Sequence, residues 1–391
     1  MRAAALALAC AVVGAAAALG IGRAAGLVGS NSTQTVIVRE AVRAHAAPTA
    51  VRTAPILSPS SFKPAEIFAR RSPGVVTVYS YFAGTAAQGS GFVVSRTGTI
   101  LTNAHVITNA GETAGTVHPA ESVYVEFPDR DRIPARIVGW DVFDDVGVLR
   151  VPPASHALVP VPLGHSADAV VGEPVAAIGS PLGNADSLAV GIVSGVHRSI
   201  AALTAPSFLL LDAIQTDAPI AHGSSGGPLL DTAGRAIGIN AQIRSDPGGS
   251  SGVGFAVPID SARRSLRELL TKGRVAYAYA GVQAEDVTPS LAAALKLPVR
   301  RGALVDRVTP GGPAAAAGLR GGRAERQFEG ETVHVGGDVI VAVNGLPVDG
   351  ANTLVRIVTN DLRPGQTAML AIVRDGRRRT LSVRLVSRPA G

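Results

Sequence analysis

The 391-residue chain is basic, with 36 Lys and Arg against 29 Asp and Glu, rich in Gly (45) and Pro (26), and poor in aromatic residues. Its length allows two or three domains with sizeable cores, and its turn-rich composition favours short strands over long helices. The lone cysteine, Cys10, lies in the N-terminal apolar stretch and excludes disulfides, thiolate metal sites and a cysteine nucleophile from the rest of the chain.

Arg2 precedes an uncharged run from Ala3 to Gly22, closed by Arg23. A membrane-spanning helix needs about 20 such residues, so residues 1–25 read as an anchor or a signal peptide. The remainder is therefore expected outside the cytoplasm, in the periplasm or at the cell surface. Residues 26–63 are Ala, Ser, Thr, Val and Pro with scattered charge, which describes a flexible linker.

From residue 64 the pattern changes. Short β-rich runs bounded by turn residues recur at Gly74–Ser80, Gly91–Ser95, Ser122–Phe127, Pro134–Gly139, Gly234–Ile239 and Gly252–Val257. Such spacing predicts a barrel or sandwich. A helix follows over Ser261–Lys272, with Leu266, Leu269 and Leu270 on one face, Asp260 as its cap and Gly273 at its end. Residues 64–274 are expected to form the first domain and 275–388 the second. The second has strands at Leu304–Val308 and Val339–Val343 and short helices at Leu291–Leu295, Ala314–Ala317 and Thr353–Thr359. Asp375-Gly376 between two alternating runs predicts a terminal hairpin, because such a turn demands positive φ.

Three local sequences carry chemistry. Leu101-Thr102-Asn103-Ala104-His105-Val106 offers an imidazole, Asp144-Asp145-Val146-Gly147 a carboxylate, and Gly223-Ser224-Ser225-Gly226-Gly227 a serine in a glycine-rich turn. A serine hydroxyl attacks a carbonyl only when a neighbouring imidazole accepts its proton, and that imidazole needs a carboxylate to fix its tautomer. Backbone N–H groups of Gly223 and Ser225 would then receive the oxyanion. Each segment alone has a bland reading: His105 as a buried histidine, Asp145 as a turn or cap with Asp141 and Asp144 as rivals, and the glycine run as a flexible loop. Together they follow the order His, Asp, Ser, which belongs to one of the known triad arrangements.

These segments, with Gly89-Ser90-Gly91-Phe92-Val93, Gly179-Ser180-Pro181-Leu182-Gly183 and Gln215-Thr216-Asp217-Ala218, resemble the protease domain of the HtrA/Deg family. The resemblance implies a mainly β fold: a chymotrypsin-like double β-barrel, with His105, Asp145 and Ser225 as the triad. It also singles out Asp145 over Asp141 and Asp144. By the same resemblance Ile239, Asn240, Ala241 and Gln242 help line the S1 pocket. That loop has no acidic residue, so small aliphatic side chains are the implied choice there. The sequence departs from the family at Ala221-His222-Gly223-Ser224, where Asn-Pro-Gly-Asn is usual, and at Gly147, where Ala is usual. His222 is read as a loop residue shaping the cleft.

The second domain resembles a PDZ domain, a small β-barrel or sandwich with short helices. Tyr279-Ala280-Gly281-Val282 fits its carboxylate-binding loop, Pro310–Leu319 its helix signature and Gly336–Gly345 the strand and turn that follow. The peptide is expected to pair as an added strand with residues 282–286. A charged insertion over Arg320–Val335 reads as a surface loop. The resemblance implies an endopeptidase acting on unfolded or misfolded proteins, a PDZ domain binding C-terminal peptides, and a homotrimer. This chemistry requires no metal or other cofactor, and no nucleic-acid partner is expected, since no binding motif accompanies the Arg surplus. The rival readings are a catalytically idle, membrane-tethered chaperone or peptide binder, and a DNA-binding protein that would betray itself by salt-sensitive binding.

Overall fold

The computed structural model describes residues 62–110, 117–180, 187–201, 204, 209–221, 223–244 and 253–389. The expected anchor, almost all of the linker, and His222 lie outside the described residues. Among those described, no helix is long and apolar enough to cross a membrane.

The chain enters through α1 (Pro64–Arg71), whose opening proline sits where an N–H would lack a partner anyway. Six strands then close a barrel: β1 (Val75–Phe82), β2 (Thr85–Val93), β3 (Thr99–Thr102), β4 (Ser122–Glu126), β5 (Arg132–Asp141) and β6 (Val146–Arg150), in the order β1-β2-β3-β6-β5-β4. Between β3 and β4 runs the one-turn helix α2 (Ala104–Ile107). A second closed barrel follows: β7 (Pro174–Gly179), β8 (Ser187–Ala201), β9 (Leu209–Thr216), β10 (Pro228–Leu230), β11 (Ala236–Arg244) and β12 (Val253–Pro258), in the order β10-β11-β12-β9-β8-β7.

Strand side chains alternate faces, and here the alternation sorts them between two environments. Val76, Val78, Ile100 and Leu149 fill the first barrel, and Val175, Ile214 and Leu229 the second. Their immediate neighbours Val75, Leu101, Val148 and Leu230 join a shared layer between the barrels. The near-continuous apolar runs in the sequence come from this burial on both faces.

α3 (Ile259–Lys272) closes the double-barrel unit and ends, as expected, at Gly273, whose N–H bonds the Leu269 carbonyl. Two details differ from the sequence reading. The helix begins at Ile259, so Asp260 lies inside its first turn and does not cap it. Its carboxylate instead accepts from Ser166 Oγ at 2.9 Å and Arg263 Nη1 at 2.7 Å. Leu269 is buried but Leu270 is 43% exposed, because adjacent helical residues point about 100° apart.

Beyond α3 come β13 (Ala278–Tyr279), β14 (Val282–Asp286), α4 (Pro289–Ala294), β15 (Ala303–Val308) and α5 (Pro313–Ala316). Next are β16 (Ala324–Phe328), β17 (Glu331–Val335), β18 (Val339–Val343), β19 (Leu346–Pro347) and α6 (Ala351–Arg356), which runs on into a wider π turn at Ile357–Asp361. β20 (Thr367–Arg374), β21 (Arg377–Arg384) and β22 (Val386–Ser387) complete the unit. The main sheet has the order β14-β15-β18-β20-β21 with β19 beside β18, which leaves β14 at an edge. β20 and β21 pair in full register from Thr367↔Arg384 to Arg374↔Arg377 around the Asp375-Gly376 turn.

The insertion is more than the expected surface loop. β16 and β17 form a two-stranded hairpin that lays Phe328, Val333 and Val335 against Leu304, Val339 and Val373 on one face of the sheet. His334 Nδ1 lies 2.7 Å from Asp306 Oδ1 and ties the hairpin to β15.

A buried polar cluster joins the two folded units. Asp141, at the end of β5, accepts from Ser265 Oγ at 2.6 Å and from the Tyr277 hydroxyl. Arg264 donates to Asp144 Oδ2 at 2.7 Å, to Asn360 Oδ1 at 3.0 Å and to the Thr359 carbonyl at 3.2 Å. Its guanidinium lies 4.6 Å above the Tyr277 ring. Burial and the nearby Asp144 charge push Asp141 up to about 6, while burial and both carboxylates hold the Tyr277 hydroxyl well above its usual range.

Candidate active site

The turn after β3 presents His105 on α2, and the turn before β6 presents Asp145. The two meet directly: His105 Nδ1 lies 2.8 Å from Asp145 Oδ2, and the His105 backbone N–H donates to Asp145 Oδ1 at 3.0 Å. Asp145 is buried and adopts φ 51°, a conformation that Asp tolerates better than most residues. Asn103, also buried, holds that turn by donating to the Asp145 carbonyl at 2.8 Å. The rival carboxylates Asp141 and Asp144 face the polar cluster on the other side of the turn and bond Ser265, Tyr277 and Arg264.

Burial works against a charged His105 ring, but the Asp145 charge and the hydrogen bond to it outweigh that, so its pKa is raised above the ordinary 6.5. A general base must be neutral. Activity should therefore fall as pH drops through a midpoint above 6.5, and a profile of kcat/KM against pH with its acid limb at or below that value would contradict this reading of the site.

Ser225 sits in the loop entering β10. The loop is sewn to its surroundings through the backbone: Ser90 N donates to Ser225 O at 2.7 Å, Gly226 N to Asn240 O at 2.8 Å, and Asn240 N to Gly227 O at 2.8 Å. Gly226 (φ 92°) has no room for a side chain, since a Cβ there would lie 2.0 Å from the Ser90 carbonyl oxygen. Gly89 brings the histidine and serine segments to one place: a Cβ on it would meet Val106 at 2.6 Å and Ser225 O at 3.0 Å. The Ser225 hydroxyl donates to the Ala241 carbonyl at 2.9 Å, and among the described residues no hydrogen bond joins it to His105. Nor does any acceptor among them meet the N–H of Gly223 or Ser225.

Of the residues read as S1-lining, Ala241 reaches Ser225 through its carbonyl. The side chains of Ile239 and Asn240 do not face the serine. Ile239 belongs to the core between the barrels, and Asn240 is fully buried with its amide 3.3 Å from both the Ile178 and Pro228 carbonyls. The sequence reading gave no role to Asn103, or to Ser90 and Thr102, whose hydroxyl bonds the Ser90 carbonyl at 2.6 Å.

In the second unit, Tyr279, Ala280, Gly281 and Val282 face Leu354, Val355 and Val358 across a groove of about 450 Å³. Leu209, at the start of β9, reaches the same groove. The loop is fixed from behind by Thr309 N to Gly281 O and Ala314 N to Ala280 O, each 2.9 Å.

Residues 89–239 match the model of the trypsin-like peptidase domain family, and residues 278–385 that of the PDZ domain family. The chain is 38% identical over 305 residues to a protein of Pseudomonas savastanoi pv. phaseolicola described as "Probable periplasmic serine endoprotease DegP-like", covering 78% of this chain and 57% of that one. It is 38% identical over 303 residues to the chloroplastic Protease Do-like 1 of Arabidopsis thaliana, covering 77% and 64%. The chain thus spans less than two thirds of either relative's length. Among solved structures, the HtrA-type protease AlgW with a tripeptide superposes with a TM-score of 0.70 at 32% identity, over 84% of this chain and 98% of that one. With both domain matches in sequence and this agreement over nearly all of a solved relative, the chain belongs to the HtrA family of trypsin-like proteases with a PDZ domain.

Proposed function

We propose that the protein is an extracytoplasmic serine endopeptidase in which His105, Asp145 and Ser225 form the triad. The observation that carries this is the double grip of Asp145 on His105. One carboxylate oxygen faces Nδ1 and the other takes the backbone N–H, so the ring is oriented and its Nε2 is left as the base.

In the reaction, Ser225 Oγ leaves the Ala241 carbonyl and attacks the substrate carbonyl carbon while Nε2 of His105 takes its proton. The oxyanion is received by the N–H groups of Gly223 and Ser225. His105 then protonates the departing amine. A water, deprotonated by the same ring, releases the acyl group from Ser225. The groove beside Tyr279–Val282 takes the C-terminal end of a peptide, which pairs with the free edge of β14; this edge position supports strand addition. Substrates are unfolded or misfolded proteins, and the assembly is a homotrimer held near the membrane by the apolar N-terminal segment.

A fluorophosphonate probe tests the central claim. It should label the wild-type chain on Ser225, and Ser225→Ala should abolish the label. Absence of label in the wild type, with or without C-terminal peptides, would leave a peptide-binding protein in place of an enzyme.

A further inference from the structure

The oxyanion hole proposed above depends on a stretch of chain that has little intrinsic stiffness. Gly223 adopts φ 93°, and glycine passes between such conformations at no steric cost. Something must therefore hold the peptide plane that lies between the two N–H groups. Its N–H end is fixed by Ser224 N donating to the Ala221 carbonyl at 2.9 Å. Its C=O end is fixed by a side chain from the other barrel: Ser90 Oγ, on β2, donates to the Gly223 carbonyl at 2.6 Å.

Ser90 is fully buried and all of its hydrogen-bonding groups are engaged. Its hydroxyl donates to Gly223 and accepts from Ser180 N at 2.9 Å. Its backbone N–H bonds the Ser225 carbonyl at 2.7 Å, and its carbonyl accepts from Thr102 Oγ1 at 2.6 Å. A single residue of the first barrel thus holds the carbonyl of the nucleophile, the carbonyl inside the oxyanion-binding turn, and the end of β7. Scaffolding of β2 alone requires only the backbone groups. The hydroxyl, by contrast, reaches the reactive turn.

We propose that Ser90 is a positioning residue for the oxyanion hole: its hydroxyl fixes the Gly223–Ser224 peptide and so aims the flanking N–H groups at the developing oxyanion. The proposal rests on the serine-protease reading. Losing an oxyanion donor outright costs about 100- to 1,000-fold in rate, so loosening the turn that aims both should cost about 10- to 100-fold. The loss should fall on kcat and not on KM, since the hole is complementary to the transition state.

The test compares Ser90→Ala with wild type in the full chain, on a peptide substrate and with two probes. A peptide boronate forms a tetrahedral adduct on the serine, and a product peptide with a free carboxylate measures ground-state binding. The expected result is a kcat lower by about 10- to 100-fold, boronate affinity weaker by a similar factor, and KM and product binding within about threefold. Ser90→Cys, nearly isosteric but a weak donor, should fall between the two. Equal losses in boronate and product binding, or a kcat within about twofold of wild type, would refute the proposal. Fluorophosphonate labelling of the wild type separates the levels. If the wild type does not label, the protease reading fails; if wild type and Ser90→Ala label at the same rate, only the role of Ser90 fails. Should Ser90→Ala not fold, the same comparison on Ser90→Cys decides the matter.

Discussion

Replacing Asp145 by Asn is expected to lower kcat about 10,000-fold while leaving the fold intact. Asn suits the left-handed backbone at φ 51° as well as Asp does, and its carbonyl oxygen can still accept from the His105 N–H. Its NH2 group, however, would face Nδ1 of His105, where the carboxylate now accepts. The ring must then put its proton on Nε2, the atom that should receive the proton of Ser225. The carboxylate charge that raises the His105 pKa also disappears, so any residual activity should show its acid limb at lower pH. Steady-state kinetics on a peptide substrate, alongside a thermal melt, checks both parts. A variant within about tenfold of wild-type kcat would remove Asp145 from the triad.

The second large effect concerns stability. Arg264→Met should destabilise the protein by about 3–5 kcal/mol at pH 8, because it strands a buried carboxylate. Asp144 is 7% exposed in its side chain and Arg264 14%, so water cannot replace the lost partner. The pH dependence has a definite sign. Asp141 titrates at about 6, above its ordinary value of 3.8, so the native state holds that proton more tightly than the unfolded chain does. Its ionisation therefore costs stability as pH rises from about 4 to beyond 6. Arg264 is one of the groups that lower the Asp141 pKa, so without it Asp141 is harder still to ionise, and the penalty of the substitution should shrink as the pH is lowered towards 5. Thermal melts at the two pH values read this directly. A variant whose midpoint stays within about 1 °C of wild type at pH 8 would mean that the cluster is hydrated and contributes little.

What could be read in the sequence, and what could not, follows from the range of the interactions. The histidine, aspartate and serine segments are legible because their chemistry fixes residue types within a few positions. Among three nearby carboxylates, sequence logic alone could not choose, and the family resemblance favoured Asp145. The geometry supplies a physical reason: only Asp145 touches His105, while Asp141 and Asp144 turn towards α3. That second network was invisible beforehand, since Arg264 and Asp144 are far apart in the chain and neither is unusual locally. The β16–β17 hairpin was missed for a different reason. Ala324, Glu325, Arg326 and Gln327 are all exposed, and only Phe328, Val333 and Val335 signal burial, which is too sparse for an alternating pattern. The resemblance names the loop around Ile239–Gln242 for the S1 pocket but not which of its atoms face the serine: the side chains of Ile239 and Asn240 serve the core, and the Ala241 carbonyl reaches Ser225.

The packed hairpin also determines where a visitor can dock on the C-terminal unit. One face of the main sheet is roofed by β16, β17 and α4, and the opposite face carries α6. A polypeptide added at the β14 edge lies in the corridor between β14 and α6, and Leu209, from β9 of the second barrel, stands at its rim. Whatever occupies that corridor therefore lies against the same barrel whose loop carries Ser225.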